Sequence, residues 1–286
     1  MDNPETTPLI RLDQEVARLL PKPSRAFASK LVKQGKVLIN GIVNTKPGYK
    51  LHSSDMVTLD YDITELDRIP DIDLPVLYED DDCVVINKPV GLLSHSKGNF
   101  NIEATVATWL RSRFNNPENE RSGIVHRLDR ATSGVMICAK NSNAASWLQK
   151  QFSQRKVKKS YVALVVGTPS PLEAVIDMPI ERNPKAPATF RVGATGKSAL
   201  THYKVTRATG RYSLLELKPQ TGRTHQLRVH LSHIGYPIVG DTFYSGEPAD
   251  RLYLHAQTLE ITLPNHSRQT FTAKIPASFN SKLLST

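Results

Sequence analysis

Apolar positions in the first sixty residues recur at two different periods. Leu12, Val16, Leu19 and Leu20 fall at helical spacing, and Pro21 with Pro23 closes that segment. Ser24 is placed to cap a second helix, SRAFASKLVKQ, whose Phe27, Leu31 and Val32 share a face and whose Gly35 suits the C′ position. Arg25, Lys30 and Lys33 fall off that face. KVLINGIVN then gives two short apolar strands around Asn40-Gly41, the pair a type I′ turn favours because both residues take positive φ. Residues 1–60 therefore read as a small α/β module. Residues 61–74, acidic and interrupted by Pro70, read as a linker with no sustained period.

From residue 75 to 286 the pattern turns strand-rich. VLYEDDDCVVINKP sets two apolar runs on either side of a turn at Asp80 to Asp82, and KPVGLLSHSKG comes next as a Gly-containing loop placed to line a site. Helical spacing returns over 102–114 (Val106, Trp109, Leu110, Phe114) and over 141–155 (Ala145, Leu148, Phe152). Strands are expected near 158–166, 198–207, 212–218 and 252–262. Strand and helix do not alternate as a doubly wound sheet would require. The fold class predicted is α+β: a small α/β module, then a large domain built on a mixed, mainly antiparallel β-sheet flanked by helices.

Composition permits a packed core, with 39% hydrophobic and 22% charged residues. No apolar run approaches the roughly 18 residues of a membrane span, and the start MDNPETTPL has no signal-peptide core, so a cytoplasmic address is expected. Cys83 and Cys138 have neither metal spacing nor a disulfide framework and read as buried thiols. Without a long apolar heptad, a monomer is expected. Charge changes the picture more. The chain carries 37 Lys and Arg against 27 Asp and Glu, a net +10. Residues 1–60 contribute +3, residues 61–82 contribute −8, and residues 83–286 contribute +15. That balance suits a polyanionic partner without proving one.

Candidate chemistry concentrates in two polar stretches. In GIVHRLDRATSGVMICAK, residues 123–140, Gly123 and Gly134 bracket a loop containing His126, Arg127, Asp129 and Arg130 before an apolar strand resumes. A carboxylate between arginines is favoured in its charged form, which suits a nucleophile or an electrostatic stabiliser; it equally suits a loop tied by ion pairs. In LKPQTGRTHQLRVHLSHIGYPIVGD, residues 217–241, a turn at Thr221-Gly222 leads into a helix with Leu227, Leu231 and Ile234 on one face. Arg223 at its start could reach a carboxylate in a bidentate fork, making Asp129 and Arg223 a plausible pair. His225, His230 and His233 have no i, i+4 spacing and no accompanying carboxylate, so hydrogen-bonded or phosphate-facing histidines are expected and no metal. Tyr161, on a strand face with Lys159 and Ala163, is either a core tyrosine or a ring that stacks on a nucleobase.

The N-terminal pattern, RLD, then SRAFASKLVKQGKVLINGIV, then KPGYKLHSSDMVTL, resembles an S4 RNA-binding domain. That resemblance implies RNA contacts by Arg25, Lys30 and Lys33. HRLDRATSG around Asp129, KSYVAL around Tyr161 and TGRTHQLRVHL around Arg223, with NKPVGLLSH upstream and LYLHAQTL near the end, resemble the RluA family of pseudouridine synthases. This second resemblance implies a catalytic domain over 75–286, with Asp129 as the catalytic aspartate and Tyr161 packed on the target base. It also implies that Arg223 pairs with Asp129, and that Arg127 helps displace the uridine and fills its place. No cofactor is expected. The implied partner is RNA, with large-subunit ribosomal RNA favoured. Transfer RNA as substrate, and a non-catalytic ribosome-associated RNA-binding protein, stand as alternatives. A glycoside or nucleoside hydrolase would need a second carboxylate facing the first, for which Asp241 is the candidate.

Overall fold

The computed structural model describes residues 10–20, 24–61, 70–96, 103–114 and 123–285. The polar start, the prolines at 21 and 23, and linker residues 62–69 lie outside the described residues. The chain forms two compact units, Met1–Asp71 with Ser96–Ala104, and Ile72–His95 with Thr105–Thr286.

In the first unit, helices α1 (Leu12–Leu19) and α2 (Arg25–Lys33) precede strands β1 (Val37–Ile39), β2 (Ile42–Val43) and β3 (Val57–Leu59), which pair antiparallel in the order β2-β1-β3. The Ser24 hydroxyl accepts the Phe27 N–H at 3.4 Å, which satisfies one of the otherwise orphaned amides of α2. Asn40 and Gly41 take φ of +51° and +79°, as the hairpin turn demands. Leu12, Val16, Leu31, Val32 and Val37 close the core. Removing each such side chain from water contributes roughly 1.5–3 kcal/mol before entropy is counted. Lys30 and Lys33 are exposed. Arg25 is also exposed but shares the buried Asp13 carboxylate, at 3.1 Å, with Arg11 at 3.0 Å. Hydrogen bonding to Arg11 holds Asp13 below the usual carboxylate range.

The second unit is a nine-stranded sheet with helices against it. In chain order its elements are β4 (Val76–Glu79), β5 (Cys83–Lys88), α3 (Val106–Phe114), β6 (Ser133–Ala139), α4 (Ser142–Ser153), β7 (Lys158–Val166), β8 (Glu173–Asp177), a separate hairpin β9 (Ile180–Arg182) with β10 (Phe190–Val192), β11 (Leu200–Ala208), β12 (Tyr212–Pro219), α5 (Gln226–His233), β13 (Leu254–Thr262), β14 (Arg268–Thr272) and α6 (Ala277–Leu283). The strand order is β4-β5-β6-β13-β7-β12-β11-β8, with β14 added beside β13. Among these strands only β6 and β13 pair parallel. The class is the α+β arrangement expected, with a mixed, mainly antiparallel sheet. The turn at Asp80 closes through its own side chain, whose Oδ1 accepts the Asp82 and Cys83 amides at 2.9 and 2.7 Å. Cys83 and Cys138 are buried free thiols.

The register of the central strands decides where the site lies. Gly134 sits opposite Ala256, and Ala256 sits opposite Tyr161, which itself sits opposite Leu217. Stretches remote in sequence thus end side by side across β6, β13, β7 and β12, at intervals of roughly 4.8 Å. The loop carrying Asp129 enters β6 at this level, and the turn after Pro219 leaves β12 there.

Candidate active site

The Asp129 loop is shaped by two glycines. Gly123 and Gly134 take φ of +80° and +120°, and a Cβ on either would collide with a backbone oxygen, that of Ala139 or that of Ala256. Only glycine lets the two backbones approach so closely. The loop is then clamped by the NKPVGLLS segment. Ser94 Oγ accepts the Leu128 N–H at 3.2 Å and donates to the Leu128 carbonyl at 2.8 Å. The buried Lys88 Nζ donates to the carbonyls of Pro89 (2.9 Å), Leu92 (2.7 Å) and Arg130 (3.4 Å). Burial pulls the Lys88 ammonium down to about 7, against the attraction of Asp129. The upstream motif, expected to line a site, thus supports one from beneath.

On the other side, Gln226 fixes the 221–225 turn. Its Oε1 accepts from the Thr221 hydroxyl (2.7 Å) and the Arg223 amide (3.0 Å), while its Nε2 donates to the Leu200 carbonyl and Thr201 Oγ1, each at 3.0 Å. Such a buried amide with every polar atom engaged rigidifies what it joins.

Between these loops lies a cleft of about 480 Å³. Among the described residues lining it, Asp129 is the single carboxylate, facing Arg127, Arg155, Lys159, Arg223 and Arg228. Tyr161 lies on its wall, half-buried. Burial, with the Asp129 charge nearby, pushes the phenol up, so it stays protonated. His126 also lines the cleft, stacked on Phe152 at 4.5 Å, with its Nε2 accepting the Ile137 N–H at 3.1 Å. Burial, helped by Lys159, lowers it to about 3, so the ring is neutral.

The expected pairing of Asp129 with Arg223 is corrected by the structure. Arg223 Nε donates to the Ser198 carbonyl at 3.0 Å, and the arginine beside the carboxylate is Arg228, with Nη1 3.5 Å from Asp129 Oδ2. His225 joins it, with Nε2 3.7 Å from the same oxygen. The physical reason is the helix. Arg223 stands in the turn before α5, whereas His225, at the cap, and Arg228 are three residues apart and project from one face. The HQLR spacing is the signal in the sequence that distinguishes the two arginines. Arg228 is itself anchored by a bidentate pair to buried Asp241, both contacts 2.7 Å, and its guanidinium lies 5.1 Å from the Tyr244 ring centroid. Burial opposes its charge, but the hydrogen bond to Asp241 and the two carboxylates raise it on balance. Asp241 is therefore occupied with Arg228 and does not line the cleft, unlike the second carboxylate of a glycoside hydrolase.

His225 takes a part that its spacing to the other histidines does not reveal. Its Nδ1 lies 2.8 Å from the Tyr244 hydroxyl, whose oxygen already accepts the Phe190 N–H at 2.9 Å. In the tautomer in which the hydroxyl donates to Nδ1, the ring proton sits on Nε2 and faces Asp129. Burial lowers His225 below its ordinary value. His230 is buried among hydrogen bonds, to Thr201 Oγ1 at 3.0 Å and the Met178 carbonyl at 2.9 Å. Arg127, on the Asp129 loop itself, is exposed on the rim of the cleft.

A carboxylate held by two cationic or hydrogen-bearing groups, in a cleft with an aromatic wall and cationic flanks, defines a site for an anionic, ring-bearing substrate. Comparison with known proteins gives the class. The RNA pseudouridylate synthase family model matches residues 82–233, and the S4 domain model matches residues 10–57. The chain is 41% identical over 242 residues to an RNA pseudouridine synthase of Aquifex aeolicus, covering 82% of this chain and 76% of that one. It is 38% identical over 239 residues to the ribosomal large subunit pseudouridine synthase D of Vibrio cholerae (82% and 73% covered), and 35% identical over 273 residues to that of Escherichia coli K12 (89% and 83%). Among solved structures it resembles human RNA pseudouridylate synthase domain containing 1, with a TM-score of 0.61 at 32% identity, covering 74% of this chain and 86% of that one. Human RNA pseudouridylate synthase domain containing 4 gives 0.60 at 30%, with 73% and 91% covered. The chain belongs to the RNA pseudouridylate synthase family, and it carries an S4 domain before the synthase region.

Proposed function

We propose that the protein isomerises uridine to pseudouridine in large-subunit ribosomal RNA, in the cytoplasm, with Asp129 as the group that acts on the nucleotide. The observation that carries this is the single cleft carboxylate set between Arg228 and His225 and opposite Tyr161. The reaction breaks the N1 to C1′ bond, turns the uracil and joins C5 to C1′; the C5 proton leaves, N1 takes up a proton in its place, and nothing is oxidised or reduced. An aspartate carboxylate can assist by adding to C1′ or to C6, or by removing the C2′ proton. Arg228 and His225 keep it aimed into the cleft. Both stand beyond hydrogen-bonding distance, so they restrain the carboxylate without saturating its lone pairs.

A uridine within folded RNA must leave its stack, at a cost of a few kcal/mol. Tyr161 offers the extruded ring an apolar face, and Arg127 is of the right length and charge to take its place. The S4 unit, through Arg25, Lys30 and Lys33, adds a second hold on the RNA. The ribosomal preference rests on the S4 match and on the names of the Vibrio and Escherichia relatives. Mapping pseudouridines in total RNA from cells with and without the protein tests it. Sites that vanish from large-subunit ribosomal RNA are expected; loss confined to transfer RNA would contradict the substrate, and no loss anywhere would contradict the activity.

A further inference from the structure

Lys159 takes no part in the chemistry at Asp129, yet its placement asks for a ligand. It stands on β7 two residues before Tyr161, so both side chains leave the same face of the strand, roughly 7 Å apart, and both line the cleft. Its Nζ crosses to the opposite turn, where a Cβ added at Gly222 would lie 3.7 Å from it. Glycine there leaves the ammonium against bare backbone with open space beside it. Among the described residues, no carboxylate lies within ion-pair distance of Lys159 and no hydrogen bond to its Nζ is formed. Burial lowers it from its ordinary value, and no neighbouring carboxylate counters that shift. The other titratable group electrostatically coupled to it, His126, is neutral.

A sheltered ammonium without a counter-charge is costly, and an anion from outside would relieve that cost. The rest of the wall points the same way. Arg155, at the end of α4, and Arg223 flank the position without a carboxylate partner among the described residues, whereas Arg228 is matched by Asp241 and Asp129. RNA supplies one anion repeatedly, its phosphodiester. A base seated on Tyr161 brings its own linkages to within the reach of a lysine two residues away.

We propose that Lys159 is the seat of a phosphodiester adjoining the nucleotide held on Tyr161, so that it fixes the register of the RNA backbone at the cleft. This rests on the function proposed above and extends it to a residue that binds substrate.

The test uses the full-length protein and its Lys159→Met and Lys159→Arg variants, with thermal melting to check folding. Affinity is measured for ribosomal RNA over a salt series. Turnover is measured on a transcript containing the mapped uridine, made either with natural linkages or with one neutral methylphosphonate on the 5′ or the 3′ side of that uridine. Lys159→Met is expected to weaken binding about tenfold, with the loss in KM rather than kcat, and to reduce the slope of log K against log salt by about one. Lys159→Arg should keep the slope. One of the two methylphosphonates should cost the wild type about as much as Lys159→Met does, and should cost that variant nothing further. An unchanged slope and affinity in Lys159→Met, a loss in kcat alone, or equal penalties from the neutral linkage in wild type and variant would overturn the proposal. Should wild type form no pseudouridine, the function falls by itself, while the salt slope on ribosomal RNA still decides for or against Lys159.

Discussion

Arg228 is divided between two carboxylates, and this division explains how one residue both builds the cleft and tunes it. Nε and Nη2 are committed to Asp241, and only Nη1 faces Asp129. Arg228→Met should therefore destabilise the fold by about 3–5 kcal/mol, because Asp241 is left buried without its partner. The double variant Arg228→Met, Asp241→Leu should regain most of that stability in chemical denaturation without regaining turnover. Restored activity would mean that Arg228 serves the architecture alone. His126 supplies a pH prediction. Its folded value of about 3 lies below the unfolded value of roughly 6.5, so between these limits the unfolded chain binds a proton that the folded one refuses. The stability it contributes is whole above about 6.5 and lost as pH falls toward 3. In His126→Gln, which keeps an acceptor for Ile137, the acid limb of stability against pH should flatten; an unchanged limb would place the acid sensitivity elsewhere. At this scale the sequence exposes Asp129 and Arg127 as candidates because their loop is a polar island among apolar runs, and Tyr161 as an aromatic ring on a strand face. It hides the partner of Asp129, because two arginines five residues apart look alike until helix geometry separates them.

Elements differ in how much of themselves they write into the chain. The cap at Ser24, the turn at Asn40-Gly41 and the helices α3 and α4 are legible because each is determined by residues a few positions apart. Strands β8, β9, β10 and β14 are not. Each is three to five residues long and largely exposed or half-exposed, so neither hydrophobic alternation nor a turn pair marks it. The parallel pairing of β6 with β13 is equally silent, although Gly134 makes it possible. Gly134→Ala should cost about 3 kcal/mol or more, since φ of +120° and the Ala256 backbone oxygen pressed against the glycine leave no place for a methyl group. Urea denaturation reads this directly, and a loss below about 1 kcal/mol would show the strand able to shift.

For the whole molecule, the decisive quantity is the distribution of charge. The segment 83–286 carries +15 and the S4-type unit presents Lys30 and Lys33 to solvent without a carboxylate partner among the described residues. Lys30→Ala with Lys33→Ala should weaken RNA binding and reduce its salt slope by about two if each lysine meets a phosphate, as filter binding over a salt series would report. An unaltered slope would leave the helix face merely solvated. Net charge alone suggests a polyanion. That the polyanion is acted on, and not only bound, depends on one carboxylate. The most direct measurement is nucleoside analysis of large-subunit ribosomal RNA, from cells lacking the protein, after incubation with the wild-type chain or with Asp129→Asn, alongside the affinity of each for that RNA. Pseudouridine should appear with wild type and be absent with the variant while the two affinities agree; a variant that still forms pseudouridine at the wild-type rate would contradict the catalytic role of Asp129.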